Sequence, residues 1–183
     1  VIQGIRKAEE DLADYGVTVE LATMRGYKTE EQLALIDSFG DRLSALVFQA
    51  INDPLIVERV AALESAGIPV ITVNSDLETS ARGCYVGSDY IKGGETAAGM
   101  LGMVTGGQGR LGVITGVESI LGHAQRRKAF EEHLLQIYPD IQIVARESAY
   151  DDIDRAHRVT LSMLQSHPEI DTLMIITAGL EGV

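Results

Sequence analysis

Segments with helical periodicity alternate along this 183-residue chain with short runs of apolar and β-branched residues, and that alternation constrains the fold more than any other feature. Ile5, Ala8, Leu12 and Tyr15 put apolar groups on one face of a first helix, which Gly16 ends. Residues 17–23 then read as a strand, and Leu33, Leu35, Ile36 and Phe39 mark a helix stopped by Gly40. Residues 43–49 have the length of a buried strand. Asn52-Asp53-Pro54 after them is a helix start, with Asp53 as N-cap and Pro54 at the first helical position. That helix is expected to reach about Ala66, and Gly67-Ile68-Pro69 turns the chain into a strand at residues 70–74. A βαβαβ series of this kind builds a parallel sheet with right-handed crossovers.

A polar loop at residues 75–83 separates this series from a second one. The second has strands expected at residues 85–87, 111–116, 141–145 and 172–177, and helices at 93–104, 124–138 and 154–165. Three or more strands on each side of the loop predict an α/β chain of two Rossmann-like lobes, residues 1–78 and 79–183, each with a parallel sheet.

Composition removes several function classes. Apolar residues make up 45% and charged residues 23% of the chain, the proportions of a globular protein. No apolar run approaches the roughly 18 residues of a membrane-spanning helix. A net charge of −12 argues against sequence-independent attraction to nucleic-acid phosphates. Cys84 stands alone, which excludes an internal disulfide framework, and it reads as a small core residue. His123, His133, His157 and His167 lack metal-ligand spacing. The last three are expected on helix surfaces, and His123, in the loop before Arg126, is the one placed to face a cleft. Gly106-Gly107-Gln108-Gly109 follows a helix and precedes a strand, the reverse of a phosphate-cradling loop, and residues 116–120 lack the Gly-x-Ser-x-Gly of a nucleophile elbow. Recognition is therefore expected in place of catalysis, with no cofactor and no metal.

Open parallel sheets bind ligands beyond the carboxyl ends of their strands. Here those ends hold Thr23 and Met24, then residues 49–53, 74–76, 87–89, 116–126, 150–152 and 177–179. Taken singly, Asn74 and Asp76 suit turns, Asp89 suits an N-cap, and Asp151, Asp152 and Asp154 read as a solvated helix start in preference to a cation site. Taken together, amides, hydroxyls, carboxylates and the guanidinium of Arg126 are what a hydroxyl-rich ligand requires.

Several phrases occur in a telling order: Gly67-Ile68-Pro69-Val70-Ile71; Tyr85-Val86-Gly87-Ser88-Asp89-Tyr90 followed by Gly93-Gly94; Gly116, then Arg126 before Ala129-Phe130; and His167-Pro168-Glu169-Ile170-Asp171. This order resembles the type I periplasmic-binding-protein superfamily, both its ribose-binding-like sugar receptors and the effector domains of LacI-family transcription regulators. By position, the resemblance implies ligand contacts from Asn74, Ser75, Asp89 and Arg126. Gln49, His123 and Thr177, from the strand ends, complete the candidate set. Val1-Ile2-Gln3-Gly4-Ile5 resembles the family's first helix, so the resemblance implies a first strand upstream, with further strands and a hinge crossing beyond Val183. Two positions depart from the family pattern: Thr177-Ala178 stands for a common Asn-Asp pair, and Ser75 for a common arginine.

Asn74-Ser75-Asp76-Leu77, Cys84-Tyr85-Val86-Gly87 and Thr177-Ala178-Gly179 look closer to the regulators. The leading expectation is thus the ligand-sensing domain of a cytoplasmic LacI-type regulator that works by hinge closure. Such a regulator is expected to be a homodimer through the apolar faces of first-lobe helices and to reach DNA only through an upstream helix-turn-helix. The alternative is the sugar-binding protein of an ABC-type transporter, periplasmic or extracellular. An enzyme on a flavodoxin-like scaffold is the third reading.

Overall fold

The computed structural model describes residues 2–78 and 81–183, which contain two three-stranded parallel sheets. Helices α1 (Ile2–Asp11) and α2 (Thr29–Asp37) precede β1 (Leu46–Phe48), α3 (Pro54–Ser65), β2 (Val70–Val73) and β3 (Cys84–Val86), which form the first sheet in the order β1-β2-β3. The start of α3 follows from Asp53, whose carboxylate accepts the Leu55 N–H at 2.9 Å, with Pro54 inside the first turn. Ile36, Leu46, Ile56, Val60, Leu63 and Val70 close the core beneath this sheet.

Helix α4 (Tyr90–Val104) leads to β4 (Gly109–Thr115), α5 (Leu121–Ile137), β5 (Ile141–Ser148), α6 (Ile153–Ser166) and β6 (Thr172–Ile176), with sheet order β5-β4-β6. The central strand β4 is buried from Leu111 to Thr115, as a strand covered on both faces must be. Leu111 and Val113 face Ala98, Phe130 and Leu134 of α4 and α5, while Ile114 packs with Ala156 and Met163 of α6. Helices α4 and α5 approach closely because position 94 is glycine: a Cβ there would lie 2.9 Å from the Phe130 backbone nitrogen.

Three expectations need correction. Residues 17–23 form no strand. Val19 and Leu21 alternate with exposed neighbours as a strand would, but the Val19 N–H goes to the Glu9 carboxylate at 2.8 Å and no described strand pairs with the segment. A strand exists only as part of a ladder, so alternation alone is insufficient. The strand expected at residues 85–87, in the second series, forms at Cys84–Val86 and belongs to the first sheet, where Ile71, Thr72 and Val73 pair with Cys84, Tyr85 and Val86. The Glu64 carboxylate accepts the N–H groups of both Val70 and Gly83, which seats the start of β3 beside the start of β2, so the chain leaves the first sheet after Val86. Finally, Cys84 is exposed, not a core residue, because β3 is an edge strand on which only Tyr85 is part-buried.

A candidate ligand cleft between the sheets

The carboxyl ends of the two sheets meet around a cleft of about 450 Å³ lined by Tyr27, Gln49, Asn74, Tyr90, Ile120, His123, Arg126, Asp151, Thr177 and Ala178. Local causes hold each wall in place. Buried Gln32 of α2 donates to the Gln49 carbonyl at 3.0 Å and accepts the Ile51 N–H at 3.0 Å, so one side chain fixes the turn after β1. Asn74 ends β2 at φ 62°, a left-handed conformation that asparagine tolerates better than most residues, and its carbonyl accepts the Tyr90 hydroxyl at 2.6 Å and the Tyr85 hydroxyl at 3.1 Å.

On the other side, short backbone bonds extend the ladder beyond β4: Gly116 N–H to the Ile176 carbonyl at 2.7 Å and Ala149 N–H to the Thr115 carbonyl at 2.8 Å. They bring Gly116, Asp151 and Thr177 together. Asp151, at φ 59°, has a side chain only 6% exposed. Its carboxylate accepts the Thr177 hydroxyl at 2.9 Å, the Ala178 N–H at 2.8 Å and the Tyr27 hydroxyl at 3.0 Å, and lies 3.8 Å from His123 Nδ1. Burial by itself raises the affinity of this carboxyl for a proton. The Ala178 N–H, the Thr177 hydroxyl, His123 and Tyr27 outweigh burial and hold Asp151 below the ordinary carboxylate range. Burial, with Asp151 alongside, pushes the Tyr27 phenol up to about 12.

His123 and Arg126 lie three residues apart on the first turns of α5 and so share a face. The Arg126 guanidinium sits 4.7 Å from the centroid of the Tyr90 ring. Tyr90 fits there because position 122 is glycine, where a Cβ would lie 2.5 Å from the ring. Among the contacts that tie the sides of the cleft together are Tyr27 to Asp151, the Tyr90 hydroxyl to the Asn74 carbonyl, and the Asn52 N–H to the Ser119 carbonyl at 2.8 Å.

Of the residues singled out from the sequence, Gln49, Asn74, His123, Arg126 and Thr177 line this cleft, and Ser75 and Asp89 do not. Ser75 is buried behind it. Asp89 caps α4, accepting the Lys92 N–H at 3.0 Å. The solvated-helix-start reading suits Asp152, which caps α6 through the Arg155 N–H, but not Asp151, which turns inward. Tyr27 and Tyr90 are lining side chains outside the positions singled out from the sequence, and Asp151, one of the strand-end residues, lines the cleft where a solvated helix start was expected. Among the described residues no group of three His, Cys, Asp or Glu side chains is arranged to hold a metal ion, and no helix is long and apolar enough to cross a membrane.

The sequence matches the periplasmic binding protein domain over residues 1–183. The chain belongs to that family. Among curated relatives, it is 25% identical over 167 residues to the ribose import binding protein RbsB of Bacillus subtilis, covering 90% of this chain and 53% of that protein. It is 28% identical over 142 residues to the xylitol-binding protein of Mycolicibacterium smegmatis, covering 76% of this chain and 40% of that protein. The chain therefore spans about half the length of these relatives. Among solved structures, an ABC transporter solute-binding protein from Burkholderia graminis in complex with D-arabinose superposes with a TM-score of 0.88 at 24% identity, over 97% of this chain and 62% of that one. A glucose-galactose binding protein from Geobacillus stearothermophilus gives a TM-score of 0.86 at 24% identity, over 97% and 64%. These structures share the periplasmic-binding-protein fold, with parallel sheets in two lobes, that the order of segments predicts. The relatives are named as transport and solute-binding proteins, so the preference for a regulator gains no support from them.

Proposed function

We propose that this periplasmic-binding-protein domain is part of an exported solute receptor that binds a monosaccharide-sized sugar or polyol and delivers it to a membrane transporter. The observation that carries this reading is the convergence of Tyr27, Gln49 and Asn74 from one side with His123, Arg126 and Thr177 from the other on a single 450 Å³ cleft. That volume suits a small ligand, and the lining is rich in amide and hydroxyl groups. Asn74, Tyr150 and Asp151, the described non-glycine residues with positive φ, all lie at strand ends beside the cleft. Sparsely populated backbone conformations of this kind concentrate at ligand sites. Curated relatives named for ribose and xylitol agree with the ligand class. In this reading Asp89 and Ser75 act from outside the cleft, Asp89 by fixing the start of the helix that carries Tyr90. Ligand in the cleft favours the closed arrangement held by the Tyr27–Asp151 and Asn52–Ser119 contacts. Neither DNA nor a second copy of the chain is required.

The test is calorimetric titration, backed by thermal denaturation, against ribose, arabinose, xylitol, allose and glucose. Saturable binding of at least one is expected, with about 2.7 kcal/mol of stabilisation at a hundredfold excess over Kd. Folded protein that binds none of them, or that responds to ligand only by changing its affinity for DNA, sinks the proposal.

A further inference from the structure

Resting on the receptor reading, and extending it to how a bound ligand is kept, the contact between Tyr27 and Asp151 has both of its halves fixed before they meet. Tyr27 lies two residues before Thr29, whose hydroxyl donates to the Asp53 carboxylate at 3.0 Å, and Gln32 in the first turn of α2 bonds the Gln49 carbonyl and the Ile51 N–H. Its support thus belongs to the first lobe. Asp151 belongs to the second, where the Thr177 hydroxyl and the Ala178 N–H both bond Oδ1, and Oδ2 is left to accept the Tyr27 hydroxyl at 3.0 Å. Tyr150 and Asp151 keep this presentation at φ 54° and 59°, two successive left-handed residues of which neither is glycine. Such backbone persists only where surrounding contacts over-determine it, and it gathers at ligand clamps and switch regions. A phenol has one proton to donate. Burial, with Asp151 alongside, pushes the Tyr27 phenol up to about 12, so the proton stays in place at physiological pH and goes to the opposite wall in place of a ligand. Neither residue lies in the segment 87–89 that carries the chain from the first sheet to α4. A hydrogen bond tolerates only a few tenths of an ångström of stretch, so a parting of the walls breaks this one.

We infer that Tyr27 is a latch: its hydroxyl engages Asp151 only when the cleft is shut, and so sets how long a ligand stays while leaving the choice of ligand to the other lining residues. A hydrogen bond to an ionised acceptor that exists in the shut form alone biases shut against open by about tenfold or more. The bias acts after the ligand has entered, so it falls on dissociation. It is the same for every ligand, because the bond contains no ligand atom.

The experiment compares the unaltered protein with Tyr27→Phe in stopped-flow kinetics against ribose, arabinose, xylitol, allose and glucose. For each compound that binds, the dissociation rate constant is expected to rise about tenfold and the association rate constant to change less than about twofold, with the order of affinities kept. In an Asp151→Asn background Tyr27→Phe is expected to do less, the coupling that two ends of one bond must show. A changed order of affinities makes Tyr27 a ligand contact and overturns the inference. An unchanged dissociation rate, or additive effects of the two substitutions, overturns it equally. A second readout needs no ligand: spin labels at Glu58→Cys on α3 and Lys128→Cys on α5, both exposed positions, in a Cys84→Ser background. Longer distances are expected for Tyr27→Phe than for the parent, and identical distributions overturn the latch. If none of the five compounds binds, the receptor reading fails and the distances alone decide the latch.

Discussion

The Tyr27 hydroxyl reaches the Asp151 carboxylate at 3.0 Å, joining two side chains 124 residues apart on opposite walls of the cleft. Hydrogen bonds to a charged acceptor contribute more than neutral ones, and this one is part-buried. Tyr27→Phe is therefore expected to lower stability by about 1.5 kcal/mol, read as a lower urea midpoint with an unchanged slope. Tyr15→Phe is the control. Tyr15 is 83% exposed, and its substitution is expected to change nothing measurable.

Asp151 also makes a prediction about pH. Its folded-state pKa lies below the ordinary value of 3.8, so its contribution is fully present above that value and is lost as pH falls below it through the folded pKa. Asp151→Asn keeps the shape and removes the charge. The stability gap between the parent and this variant is expected to be constant from pH 7 to about 5 and to shrink toward pH 3. Thermal denaturation across that range measures it, and a gap that widens on acidification contradicts the assignment.

What the sequence revealed and what it concealed follow from the range of the interactions involved. Asp53-Pro54 announced a helix because capping is settled within three residues, and the Asp53 carboxylate does take the Leu55 N–H. The apolar run of β4 was legible because both its faces are covered. Residues 17–23 misled because alternation reports a half-buried face and says nothing of a pairing partner. The placement of Cys84–Val86 depended on Glu64 binding Gly83, a contact across 19 residues. Asp151 was hidden for a similar reason. Beside Asp152 in the sequence it looks like a second helix-start carboxylate, and only the positive φ at Tyr150 and Asp151 turns it toward Tyr27 and Thr177.

Two glycines of α4 separate close packing from helix propensity. A Cβ at Gly94 would lie 2.9 Å from the Phe130 nitrogen and 3.1 Å from the Ala129 Cβ, so α4 and α5 would be pushed apart. At Gly99 a Cβ would meet nothing within 4 Å. Gly94→Ala is expected to destabilise by about 1–3 kcal/mol. Gly99→Ala is expected to stabilise by about 0.5–1 kcal/mol, because alanine restricts the unfolded chain and favours the helix. Denaturant titration of both variants gives the two signs directly.

Gly116 tests whether the cleft depends on the approach of His123 to Asp151. A Cβ at position 116 would lie 2.5 Å from Asp151 Oδ1 and would press against the His123 ring, both of which line the cleft. Gly116→Ala is expected to cost about 1–3 kcal/mol of stability and to weaken ligand binding at least about tenfold, since the displaced carboxylate holds Tyr27 and Thr177. Adding His123→Ala removes the ring from the collision but leaves the carboxylate in it. The double variant is expected to recover part of the lost stability, with the two substitutions coupled and not additive. It is not expected to recover ligand affinity, because Asp151 stays displaced and His123 is gone from the lining. Additive stability losses in calorimetric unfolding would mean that the His123 ring does not occupy the space beside Gly116 in solution.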